Sequence, residues 1–185
     1  MVTAETPDHF IITEPFTVTF HVTPSAGISV YAAEDQIGYP GYPADSPTGL
    51  QVTNISHNGD SNGRQIRWGP FFDNQPRELS YQVVMPYTPP RLLDFTGNVS
   101  FDGTGVPVAG KREAEAGSRL SLLPRQTNDP IQLQLLGSGT YRIEASTNLI
   151  DWTTVMEAVV LKDLRFIELN TGEFHQRYYR AREIR

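Results

Sequence analysis

Four histidines and a scatter of carboxylates are the residues through which this chain could do acid–base or metal chemistry, and their spacing argues against both. His9, His21, His57 and His175 stand far apart, with no pair at the i, i+4 or short-loop spacing that lets two imidazoles share an ion. They read as polar residues facing solvent from strands and turns. No serine sits in a G-x-S-x-G elbow, so nucleophilic catalysis lacks its usual setting. There is no cysteine, which excludes disulfides, Fe–S clusters and thiolate zinc sites. Glu34-Asp35, Asp73, Glu78, Asp94, Asp102, Glu144, Asp151, Asp163 and Glu168 could each serve a glycosidase-like acid and base pair, but nothing in the sequence brings two of them together. Charged residues on the solvent side of strands account for them.

Two short segments carry binding chemistry. The run from Asn58 to Gly63 begins like a calcium loop, with oxygen side chains at Asn58, Asp60 and Asn62 and a glycine at position 6, yet Gly69 stands where the bidentate glutamate should be. A plain Asn-Gly hairpin turn is the favoured reading, and no metal or other cofactor is expected. The loop Ile37-Gly38-Tyr39-Pro40-Gly41-Tyr42-Pro43 is the best recognition candidate, because prolines would hold Tyr39 and Tyr42 as flat surfaces for a sugar or peptide, with Tyr87 as a third ring. Rings that cap the end of a β-sandwich would look the same. Trp68 and Trp152 lie in alternating stretches and read as core anchors. The two lysines, Lys111 and Lys162, are badly placed for an intramolecular isopeptide bond.

The elements that must position these residues are short strands. Fifteen glycines and 14 prolines punctuate the 185 residues too often for helices of normal length. Phe16, Val18, Phe20 and Val22 alternate with Thr17, Thr19, His21 and Thr23, the period of a half-buried strand. Further strands are predicted at Ile28–Ala32, Leu50–Ser56, Arg64–Trp68, Leu79–Met85 and Leu93–Phe101, separated by turn signals such as Asn62-Gly63 and Asp102-Gly103. This spacing predicts a sandwich over residues 1–110. The charged, unpatterned stretch 111–129 reads as a linker, its KREAEA portion suited to one helical turn. Alternation resumes at Ile131, Leu133 and Leu135 and again at Tyr141, Ile143 and Ala145, predicting a hairpin around Gly137-Ser138-Gly139. Strands at Trp152–Val160, Arg165–Leu169 and Arg177–Arg182 complete a second, smaller module over 130–185, which at that size is expected to need a neighbour. Ser146, Asn148 and Asp151 are placed to satisfy a turn between its strands, letting Leu149 and Trp152 point inward.

A net charge of −6 with no basic stretch makes nucleic acid an unsuitable partner. No apolar run approaches the ~20 residues of a membrane span, and the opening MVTAETPDHFIITEPF lacks the basic and apolar regions of an export signal. Through Gln65-Ile66-Arg67-Trp68-Gly69-Pro70-Phe71-Phe72-Asp73, Leu79-Ser80-Tyr81, Phe95-Thr96-Gly97 and Phe101-Asp102-Gly103, the first module resembles a recurrent β-sandwich domain of large secreted environmental-bacterial proteins. Through Tyr141-Arg142-Ile143-Glu144-Ala145-Ser146-Thr147-Asn148-Leu149, Asp151-Trp152 and Arg177-Tyr178-Tyr179-Arg180-Ala181, the second resembles a short fibronectin type III-like or immunoglobulin-like repeat. The expectation is an all-β chain of two such sandwich-like modules in tandem. The resemblance implies a non-enzymatic accessory, spacer or adhesion segment of an extracellular or cell-surface parent protein, partnered by that parent's other domains. A carbohydrate-binding module attached to a polysaccharide-degrading enzyme is the alternative.

Overall fold

The computed structural model describes residues 1–39, 49–85, 92–123, 131–160 and 176–184, and the backbone of 163–168. Among these residues there is no helix, and the chain divides into two compact units, Met1–Ala116 and Gly117–Arg185.

Unit 1 is built from two sheets. One contains β1 (Val2–Glu5), β3 (Phe16–Val22), β5 (Gln51–Thr53), β8 (Arg77–Val84) and β11 (Ala109–Gly110), in the order β11-β1-β3-β8-β5. The other contains β2 (His9–Phe10), β4 (Tyr31–Gly38), β6 (Asp60–Asn62), β7 (Gln65–Phe71), β9 (Leu92–Phe101) and β12 (Glu113–Ala116), in the order β2-β12-β9-β4-β7-β6, with β10 (Thr104–Pro107) paired to β9. The alternation read in β3 sets its face: Val18, Phe20 and Val22 are buried and lie on one sheet with Leu79, Tyr81 and Val83 of β8. Tyr31, Ala33 and Ile37 of β4, Ile66 and Trp68 of β7, and Leu93, Phe95 and Val99 of β9 join them from the second sheet in one shared core. The rings meet across the layers, Trp68 lying 5.5 Å from Phe20 and 5.9 Å from Tyr81 between centroids. This layering is consistent with a β-sandwich.

Several sequence expectations change here. The stretch 111–129 was expected to link the modules, with a helical turn in KREAEA. Instead Glu113–Ala116 is strand β12, with Ala114 buried opposite Leu93 and the flanking glutamates exposed, so the first unit runs to Ala116. Alanine and glutamate favour helix in isolation, and the unpaired edge of β9 overrides that preference. Arg119–Leu122 is β13 of the second unit, and 124–130 lie outside the described residues. The Asn58-Gly59 signal is no hairpin: a turn closed by Gly59 N–H donating to Ser56 O, at 3.0 Å, precedes β6, and β5 and β6 belong to different sheets. The tight hairpins are at Gly63-Arg64, joining β6 to β7, and at Asp102-Gly103, joining β9 to β10.

Unit 2 pairs β13 (Arg119–Leu122), β14 (Ile131–Leu136) and β17 (Asp163–Glu168) in the order β13-β14-β17, and β15 (Gly139–Ser146), β16 (Thr153–Val160) and β18 (Tyr178–Glu183) in the order β16-β15-β18. Gly137-Ser138-Gly139 therefore does not close a hairpin. It carries the chain from one sheet to the other, so Leu135 meets Tyr141 and Ile143 across a core that also holds Val160. Period-2 alternation fixes which face of a strand is apolar and leaves its pairing partner open.

Candidate functional site

Among the described residues of unit 1, three places that gather polar side chains bear on function. The first is closed. Asp35 sits on β4 with the same parity as Tyr31, Ala33 and Ile37 and is fully buried, not on the solvent side of the strand as expected for the carboxylates. Its Oδ2 accepts from Tyr81 Oη at 2.6 Å, and its Oδ1 accepts from Gln36 N–H at 3.1 Å and from Arg112 Nη2. Arg112 enters from the segment between β11 and β12, donates from Nε to Phe95 O at 3.2 Å, and lays its guanidinium over the rings of Phe20 and Phe95. Room for this cluster comes from Gly97, opposite Asp35 on β9: a Cβ there would stand 2.8 Å from Phe20 Cζ and 2.9 Å from Val108 Cγ2. Burial pushes the Asp35 carboxyl above its usual range, outweighing the pull of Arg112 and Tyr81, and burial beside Asp35 pushes the Tyr81 hydroxyl well up. Asp35 is fully buried with both oxygens bonded to β4, β8 and the β11–β12 segment, so the arrangement ties strands together.

The second is open. On the outer face of the seven-stranded sheet, a shallow hollow of about 310 Å³ has Ala32, Gly69 and Ser100 among its small lining residues and Glu34, Arg67 and Asn98 among its polar ones. The register puts Asp60, Arg67, Glu34 and Asn98 in one row across β6, β7, β4 and β9, and Asn62, Gln65, Gln36 and Thr96 in the next. Gln65 bridges the rows, accepting from Arg67 Nη2 at 2.6 Å and donating to Glu34 Oε2 at 3.4 Å. Strand spacing of roughly 4.8 Å sets carboxylate, guanidinium and amide groups side by side across this face, where they can donate to and accept from a polar ligand.

The third hollow, about 270 Å³, is lined by Asp8, His9, Leu92, Lys111, Glu113 and Glu115. Lys111 pairs with Asp8 and holds its carboxyl below the usual range. Glu113 and Glu115 stand exposed on one face of β12.

The residues singled out from the sequence fall elsewhere. Tyr39 is buried, 7% exposed, in the core of unit 1 with the Arg64 guanidinium 5.9 Å from its ring centre; Tyr42 and Tyr87 lie outside the described residues. Asn58, Asp60 and Asn62 are exposed, and among the described residues no group of His, Asp or Glu gathers as a metal site. Trp68 is a core anchor. Trp152 is not: it is half-buried, with the Arg180 guanidinium 4.0 Å from its ring centre, and Arg180 Nε donates at 2.7 Å to Glu144, itself buried where the β15–β16 register shifts by one residue, at Val155 of β16. The turn after β15 is satisfied by two of the three expected side chains, Ser146 Oγ accepting from Asn148 and Leu149 N–H and Asn148 Oδ1 from Ile150 and Asp151 N–H, while Asp151 Oδ2 accepts from Asn148 Nδ2 at 2.8 Å. Leu149 nonetheless points outward, 56% exposed, with its φ at 64°.

Sequence reasoning placed Asp35 among solvent-facing carboxylates and did not single out Arg112. The parity of Asp35 with Ala33 and Ile37 was a usable signal for its burial, whereas nothing around Arg112 distinguishes it from a solvated charge run. The chain matches no known family model, and a search of curated proteins finds no similar sequence.

Proposed function

We propose that this chain is a non-catalytic accessory segment, a spacer or adhesion piece, of a larger secreted or cell-surface protein, with immunoglobulin- or fibronectin III-like modules in tandem. The observation that carries the reading is the Asp35–Tyr81–Arg112 cluster: a buried carboxylate with charged and hydroxyl partners is turned inward, where it fastens the carboxyl-terminal strands of unit 1 to the core. Two compact units, each with its own apolar cluster, suit a segment that separates or presents other domains of the same parent. The overall negative charge fits neither nucleic acid nor an anionic membrane surface. Antibodies raised against the purified chain should stain intact cells of the producing bacterium or detect the protein in its medium. Staining that requires permeabilised cells would overturn the extracellular assignment.

A carbohydrate-binding role is the second reading, and the hollow around Glu34, Arg67 and Asn98 favours it. With Tyr39 enclosed, the sugar-facing groups in this reading are the hydrogen-bonding rows of the sheet. A glycan array should then show binding that Glu34→Ala and Asn98→Ala each abolish. A blank array, or binding indifferent to both changes, removes this reading.

A further inference from the structure

The first and last strands of unit 1 lie side by side and run in the same direction, twice. In the five-stranded sheet β1 pairs in parallel with β11, Thr3 opposite Ala109 and Ala4 opposite Gly110. In the seven-stranded sheet β2 pairs in parallel with β12, His9 opposite Glu115 and Phe10 opposite Ala116. Both segments change sheets together, one between Glu5 and His9, the other between Gly110 and Glu113. They are joined at that crossing: Lys111 pairs with Asp8, Glu115 N–H donates to Asp8 O at 3.0 Å, and Arg112 runs inward to Asp35.

This geometry decides how a pull on the chain is felt. Met1 begins the paired ribbon and Ala116, beside Phe10, ends it, so tension between them slides two parallel segments past each other along their length. Every rung of both ladders, the Lys111–Asp8 pair and the buried Arg112–Asp35 anchor are then loaded at once. The antiparallel neighbours β1 and β3 offer the contrast. Met1 N donates to Thr23 O at 2.8 Å and Thr23 N–H to Met1 O at 3.0 Å at the end of that ladder, and separating those two residues opens its rungs one after another. Forced rupture is governed by the unfolding barrier, which is higher when bonds must fail together.

We propose that unit 1 is a tension-bearing module, with the paired terminal strands as its shear clamp and Arg112–Asp35 as the bolt that fixes the clamp to the core. The proposal goes beyond the accessory reading and does not depend on it, since the clamp is tested on this chain alone and the cell-surface assignment on the producing cells. Gly110 supplies a specific lesion. It is exposed, its φ is +110°, and a Cβ there would collide with Ala4 O across the β1–β11 ladder.

The absence of native cysteine makes the experiment direct. The full chain is stretched in optical tweezers through handles on Met1→Cys and Ser118→Cys, which load the clamp in shear, or on Met1→Cys and Thr23→Cys, which unzip β1 from β3. At equal loading rate the shear geometry should rupture at a force several-fold higher. Gly110→Ala should lower that force and leave the unzipping force unchanged. Equal forces in the two geometries overturn the proposal, as does a shear force indifferent to Gly110→Ala. Should the glycine variant fail to fold, the comparison of pulling directions in the native background still decides.

Discussion

Asp35 and Asp73 are both aspartates held by an arginine, and their surroundings send them in opposite directions. Asp73 is at the surface, where Arg77 donates to both of its oxygens, at 2.7 and 2.8 Å, and the carboxyl falls to about 2. Its folded value is below the unfolded one, so its contribution to stability is complete above 3.8 and is lost as pH falls toward 2. Urea midpoints measured across that window should drop for the native chain and drop less for Asp73→Asn. Asp35 has the opposite sign. Its folded value is raised by burial, so the folded state binds its proton more tightly, and its contribution is full below the unfolded value and is lost as pH rises through the folded one. Removing its partner is the harsher change: Arg112→Leu leaves an uncompensated buried carboxylate, which typically costs about 3–5 kcal/mol. A variant with an unchanged denaturation midpoint would contradict the anchoring role given to Arg112.

At the scale of elements, turns determine how these strands are stitched together. The β15–β16 turn rests on two side chains, with Ser146 Oγ accepting from two backbone N–H groups at 3.2 and 2.9 Å. Ser146 is itself buried, so Ser146→Ala strands those donors, at about 1 kcal/mol for each hydrogen bond lost. Thermal melts of the full chain should show a lowered midpoint, and a melt identical to that of the native chain would contradict this role for Ser146. The Arg77 cluster plays the same part between β7 and β8. There Arg77 also donates to Tyr31 Oη at 2.6 Å and lies 4.2 Å from the Phe71 ring centre, fixing the connection at Asp73-Gln75 against the sheet. Such turns were legible in outline from Ser, Asn, Asp and Gly. The sheet each strand would join was not, because turn chemistry acts over a few residues and pairing over tens.

For the whole molecule, the position of the first unit's end carries the sharpest consequence. A fragment ending at Ala116 keeps β12 and Arg112, whereas one ending at Gly110 loses both, exposing the edge of β9 and leaving Asp35 without its counter-charge. Residues 1–116 should therefore give a dispersed amide NMR spectrum and a cooperative melt, and residues 1–110 should give neither. What the sequence by itself determined is the class of structure: frequent glycine and proline, period-2 alternation and the lack of cysteine leave short strands around apolar cores as the way to fold this chain. Burial parity along a strand is a local property, so the inward faces of β3, β7, β8, β14 and β15 could be read directly. Only the tertiary structure decided that an unpatterned charged stretch supplies two strands, that Asp35 and Arg112 meet in the core, and that the ends of unit 1 run in parallel. Each of these depends on residues brought together from distant parts of the chain, Asp35 with Arg112 or Thr3 with Ala109, and the energy of such a contact is absent from either segment taken alone.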